Sequence, residues 1–294
     1  AFKEQADGLK KNIFSNKDFI NIDRIAFKNP LGTFHIKKIP NTLTPWKLIF
    51  PRELSAEKET IESIFEILKN VKTKKIYPQE PINMANFSLN NPLIEIELFY
   101  LDGKRNKLLL GLINPIDNST YIVKANDGVI YHVDALKGPL ETLDFTNFID
   151  SKIIALDRND INSIKIYNGP IKKRRVQLHM KKKKGNWYDK RGKILDQKKV
   201  TKYIESLLSL KSSFILDKMD DKARKKINAY LSNPLYSMEI TDKNDNVITY
   251  KISSLVNSLP GIKIERRQNF IIEASHRNHP LLFNKKDLNY FTKR

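Results

Sequence analysis

Residues 231–240 read LSNPLYSMEI, and residues 89–98, far upstream, read LNNPLIEIEL. Five of the ten positions are identical, and most of the others exchange one apolar residue for another. The paired prolines, Pro92 and Pro234, stand 142 residues apart, and the two tryptophans of the chain, Trp46 and Trp187, stand 141 apart. Separate landmarks at a nearly constant offset are the signature of a duplicated supersecondary unit.

Working outward from these landmarks, the same features recur in the same order. Trp46 and Trp187 each follow a β-like segment, GTFHIKKIP and RRVQLHMKKKKG. After Trp46, residues Ile61, Ile64, Phe65, Leu68 and Val71 fall on one helical face and predict a helix starting near Ser55. After Trp187, residues Val200, Tyr203, Ile204, Leu207 and Leu208 do the same behind Asp196, a side chain suited to an N-cap. The Asn-Pro steps Asn91-Pro92 and Asn233-Pro234 then lead into strands. Proline lacks an N–H, suits a strand's first residue, and holds the preceding residue extended. A hairpin is predicted at Asp102-Gly103 and again at Asn244-Asp245. The last strand pairs are TYIVKANDGVIYHV and NFIIEASHRNHPLLF, aligned with Tyr121 against Phe270, which implies about seven residues gained in the second copy.

This pattern predicts an α+β fold of two tandem homologous repeats, each a mostly antiparallel sheet packed against one main helix. The expected organisation is a polar N-terminal tether over 1–21, a first repeat over 22–150, a connector over 151–159 and a second repeat over 160–294.

At 294 residues and 40% hydrophobic content, the chain can bury two cores. It has no cysteine, which excludes disulfides, thiolate zinc sites and thiol catalysis. No Gly-x-Ser-x-Gly elbow, P-loop or dinucleotide fingerprint occurs. The net charge of +20 is unevenly spread: residues 1–150 hold 20 Lys+Arg against 19 Asp+Glu, and residues 151–294 hold 33 against 14. That asymmetry points to an anionic partner for the second half.

The sharpest candidate surface is IKKRRVQLHMKKKKGNW, with Lys172, Lys173, Arg174, Arg175, Lys181, Lys182, Lys183 and Lys184 around Val176, Leu178 and Met180. The alternation of those three apolar residues predicts a strand with one buried face, and Gly185-Asn186 a turn into Trp187. A second basic group, Lys222, Arg224, Lys225 and Lys226, is placed on a short helix. The competing explanation is an edge strand guarded by lysines against sheet-to-sheet pairing. Nucleic acid, which stacks on exposed aromatics among basic residues, is disfavoured, because Trp187 has a twin at Trp46 where charge is balanced.

Of the histidines, only His276 and His279 are close enough to share a metal with Glu273, and a polar turn is the favoured reading. His132 and His179 are read as strand surface residues. No catalytic residue, metal or cofactor is expected, and an enzyme of unrecognised type, which would need convergent polar groups in a deep pocket, is the least favoured alternative.

The order of features resembles the family of domain of unknown function DUF4340. The matching residues are Trp46-Lys47-Leu48, Ile64 to Leu68, Pro92 with Ile94 and Ile96, Asp102-Gly103, Gly111, Tyr121-Ile122-Val123 and Ile130-Tyr131-His132-Val133. The second copy departs from it at Tyr188, at the missing Asp-Gly, and at Ser253 where Gly111 stood. The resemblance implies an extracytoplasmic accessory protein, anchored by an N-terminal transmembrane helix absent from this chain. Its implied partners are the subunits of an ABC-type transporter of the kind linked to gliding motility.

Overall fold

The computed structural model describes residues 12–78, 84–125, 127, 129–134, 140–171 and 176–292. The chain forms two compact units, 1–150 and 151–294. Each is a mostly antiparallel sheet with few helices, an α+β or mostly β architecture.

The first unit runs β1 (Ile22–Asn29), β2 (Gly32–Lys38), β3 (Trp46–Phe50), β4 (Leu54–Ser55), α1 (Lys58–Lys69), β5 (Thr73–Pro78), β6 (Ile94–Tyr100), β7 (Arg105–Leu110), β8 (Thr120–Lys124) and β9 (Val129–Val133). Its sheet has the order β4-β3-β2-β1-β6-β7-β8-β9-β5. Period-two alternation sends Ile94, Ile96 and Leu98 into the core, where Ile61, Ile64, Phe65 and Leu68 of α1 meet them. On the opposite face Leu89, Val123 and Ile130 are covered by Met84 and Phe87, which lie on a short 3-10 turn.

The helix begins at Lys58 rather than near Ser55, because Ala56 N–H donates to Trp46 C=O and holds this segment extended, with Ser55 opposite Lys47. The Asp102-Gly103 turn forms as expected: Gly103 has φ +83°, a left-handed conformation that favours glycine, and Asp102 Oδ1 accepts from Lys104 N–H. Residues 12–21 do not stand free as a tether. Phe14 is buried, the Phe19 and Phe65 rings are 5.2 Å apart, and Ile13 N–H donates to Val71 C=O.

The second unit runs β10 (Ile161–Asn168), β11 (Val176–Lys183), β12 (Asn186–Asp189), α2 (Gln197–Leu208), β13 (Phe214–Ile215), α3 (Asp221–Ser232), β14 (Tyr236–Asp242), β15 (Val247–Ile252), β16 (Asn269–Ala274) and β17 (Leu281–Asn284). The sheet order is β12-β11-β10-β14-β15-β16-β17-β13. Asp196 caps α2, its side chain accepting from Lys199 N–H, and Val200, Ile204 and Leu207 are buried. The short helix expected to carry Lys222, Arg224, Lys225 and Lys226 forms as α3, and it is as long as the main helix α2. Its Ala223, Ile227 and Leu231 are buried, the latter two against Ile271 and Leu282, on the face opposite α2. The turn after β14 forms at Asn244-Asp245, where Asp242 Oδ1 accepts from Asn244 and Asn246 N–H and Asp245 takes φ +63°.

Both Asn-Pro steps lead into strands, which begin two residues after each proline, at Ile94 and Tyr236. Residues 151–159, expected as a connector, pack within the second unit: Ile153 and Ile154 are buried, and Ile153 N–H donates to Leu210 C=O. Among the described residues, no helix is long and apolar enough to cross a membrane.

Candidate functional site

Lys172, Lys173, Arg174 and Arg175 lie outside the described residues. The remaining basic run sits on the β11–β12 hairpin. Lys183 pairs with Asn186, so the connection is the two residues Lys184-Gly185 and not Gly185-Asn186. Both have positive φ, +46° and +84°, the type I′ geometry whose twist matches that of the flanking strands. Asn186 is thereby freed to start β12, and Trp187 is buried.

Alternation along β11 puts Met180 and Lys182 on one face and Lys181 and Lys183 on the other. Met180 is buried, Leu178 half-buried and Val176 39% exposed, so the apolar alternation buries only its far end. β11 is not the edge of its sheet, since β12 pairs with Met180 to Lys183. Guarding a bare edge therefore does not explain these lysines.

The second basic group occupies α3, capped by Asp220, whose side chain accepts from Ala223 N–H at 2.7 Å. Lys222, Arg224 and Lys225 are exposed, and Lys226 Nζ donates to Ser258 Oγ at 2.9 Å. Register places Lys181 on the same face of the sheet as Ile271, over which α3 packs. Four inter-strand steps of about 4.8 Å, roughly 19 Å in all, separate β11 from β16, over which α3 packs. The sheet between them is charge-balanced by the pairs Lys165–Glu239 and Lys251–Glu273. The structure thus gives two basic patches and not one.

His276 and His279 do not form a metal site with Glu273, which is paired with Lys251 at 2.8 Å. Among the described residues there is no group of three side chains able to hold a metal ion. The His276 ring stands edge-on to Tyr250, with centroids 5.8 Å apart. Burial, with Arg277 nearby, holds its pKa down at about 4. His132 stacks on Tyr121, and both His132 and His179 are pushed below the usual imidazole range by partial burial.

One feature escaped the sequence. Between β11 and α2 lies a groove of about 490 Å³ lined by Leu178, Met180, Lys199, Val200, Lys202, Tyr203 and Ser206. Its floor is apolar, and its hydroxyls are already used: Tyr203 O–H donates to Tyr290 C=O and Ser206 O–H to Lys202 C=O. Burial raises the Tyr203 pKa well above that of an ordinary phenol. Lys199 and Lys202 stand exposed at the rim with no ion-pair partner among the described residues. The helical spacing of Val200 and Tyr203 signalled a buried face, but not that part of it would be left uncovered.

A chain of two antiparallel, helix-backed sheets with this order of landmarks has a counterpart among known families. Residues 46–230 match the family described as Domain of unknown function (DUF4340), and the chain belongs to that family. No curated protein and no solved structure matches it.

Proposed function

We propose that the two sheets are copies of one repeat and that the chain is a non-enzymatic accessory or scaffold protein of a membrane ABC-type transporter complex. It works outside the cytoplasm, and its second copy presents basic surfaces to an anionic partner such as lipid headgroups or an envelope polymer. The transporter role and the compartment rest on the family resemblance.

The observation that carries the repeat is strand order. Read from the tryptophan strand, β3-β2-β1-β6-β7-β8-β9-β5 follows the same path as β12-β11-β10-β14-β15-β16-β17-β13, with β4 as an addition in the first sheet. Register supports it further. Phe34 pairs with Phe27 and Phe27 with Ile96; Leu178 pairs with Ile166 and Ile166 with Met238. Gly111 N–H donates to Tyr121 C=O as Ser253 N–H donates to Ile271 C=O. Tyr121 thus answers to Ile271, and the offset grows from 142 to 150, a gain of eight residues and not seven. A slip of one residue turns every side chain of a strand to the other face, which is why alignment by composition misplaced it.

Against this shared frame the excess positive charge belongs to the second copy alone. Charge that the common fold does not require is best explained by a partner. Clustered lysines near an anionic membrane contribute about 1 kcal/mol each. Trp187 is buried as Trp46 is, so it offers no face to a nucleic-acid base. Replacing Lys181, Lys182, Lys183 and Lys184 by glutamate should abolish co-sedimentation with phosphatidylglycerol vesicles while leaving the circular dichroism spectrum intact. Unchanged vesicle binding would remove these lysines from the proposal.

A further inference from the structure

We infer that the groove between β11 and α2 is a docking site for an extended peptide of a partner protein, one that inserts a phenylalanine flanked by carboxylates. The inference rests on the equivalence of the two sheets proposed above. In the first unit the corresponding space is filled by the chain itself. Residues 144–150, DFTNFID, run past the start of α1: Glu57 N–H donates to Phe148 C=O at 3.0 Å, Asp150 N–H to Ser55 C=O at 2.9 Å, and Thr60 O–H to Asn147 C=O at 2.7 Å. The Phe148 ring, fully buried, lies 4.6 Å from Phe34 and 5.4 Å from Phe27.

The second unit keeps the receptor for such a segment. Leu195 N–H donates to Trp187 C=O as Ala56 N–H does to Trp46 C=O, so Ile194, Asp196, Lys199 and Lys202 answer to Ser55, Glu57, Thr60 and Ser63. Leu178 and Ile166 answer to Phe34 and Phe27. Among the described residues Ile194 C=O and Asp196 N–H form no hydrogen bond, and Ile194 is 55% exposed. Backbone groups without partners near an apolar slot suit an added extended segment, in which main-chain bonds give affinity and a pocket gives specificity. An acyl chain would use the slot but not the backbone groups. The charge of the rim selects further: two hydroxyl-bearing positions of the first unit are lysines in the second. The groove volume, about 490 Å³, accommodates an aromatic side chain together with neighbouring backbone.

The test uses the full chain and a fluorescent, end-capped peptide of sequence DFTNFID, titrated by anisotropy. Saturable binding is expected. It should weaken about tenfold or more when the peptide's second phenylalanine becomes alanine, as for a central aromatic anchor. It should fall in the double variant Lys199→Glu, Lys202→Glu, whose sites are exposed and leave folding intact, and in Leu178→Trp, which fills the slot. No binding, or binding indifferent to the phenylalanine, would overturn the proposal. So would anionic vesicles displacing the peptide through the same variants, or a dimer broken by Lys199→Glu and Lys202→Glu that the peptide leaves intact. An experimental structure in which Trp46 and Pro92 fail to overlay on Trp187 and Pro234 would instead sink the repeat, a separate outcome from a failed titration.

Discussion

Phe148→Ala is the most direct probe of how the first unit closes its core. The ring is fully buried between Phe27 and Phe34, while the backbone bonds of residues 147–150 do not depend on it. Truncating a buried phenylalanine to alanine costs about 3–5 kcal/mol, part from lost transfer energy and part from the cavity left behind. With a urea dependence of about 2 kcal/mol per molar for a unit of this size, a loss of about 4 kcal/mol lowers the midpoint by about 2 M. Trp46 is buried in the same core, so its fluorescence in a Trp187→Phe background reports this unit alone. A midpoint shift below about 0.5 M would refute the ring as a packing wedge, and with it the intramolecular precedent for the groove.

Three further outcomes follow from local geometry. Lys184→Asn should stabilise the β11–β12 hairpin by about 1 kcal/mol, raising the melting temperature by about 3 °C, because a lysine at φ +46° carries a left-handed penalty that asparagine bears better; an unchanged melting temperature would contradict this. Gly111→Ala should destabilise the first unit by about 1–3 kcal/mol in urea unfolding, since a Cβ there would lie 2.3 Å from the Phe87 carbonyl oxygen, and backbone must move; a neutral result would deny that close approach. His276 gives a pH dependence. Its folded pKa, about 4, lies below the unfolded value of about 6.5, so the unfolded state binds the proton first and stability falls as pH drops through that window, by up to about 1.4 kcal/mol per unit. Comparing urea midpoints at pH 7 and pH 5 for the protein and for His276→Gln checks this: the variant should lose that share of the slope.

Residues with a local signature were legible in sequence. The Asp196 cap, the turns at Asp102-Gly103 and Asn244-Asp245, the buried stripe of α1 and, at Val200, Ile204 and Leu207, that of α2 each depend on side chains within a few positions, and these form as read. Readings that depended on a distant partner went astray. Ser55 stays extended because it pairs with Lys47, and Phe14 is held by the core of the sheet, not released as a tether. The turn at Lys184-Gly185 was misplaced by one residue, since composition marked the glycine while strand pairing chose which residue precedes it.

Local pattern alone was enough to read two sheet-rich halves, the order of their landmarks and the confinement of excess charge to the second half, because period, caps and turn residues act over short range and charge is a count. Tertiary structure alone decided that the basic residues form two patches separated by ion-paired strands. It also decided that Phe148 closes the first unit's core against Phe27 and Phe34, and that, among the described residues, a groove lies between α2 and β11 beside Leu178. The reason is physical: strand pairing and the filling of a slot between helix and sheet join residues more than a hundred positions apart, as Phe34 and Phe148 are, and no local pattern encodes which segment arrives to fill it.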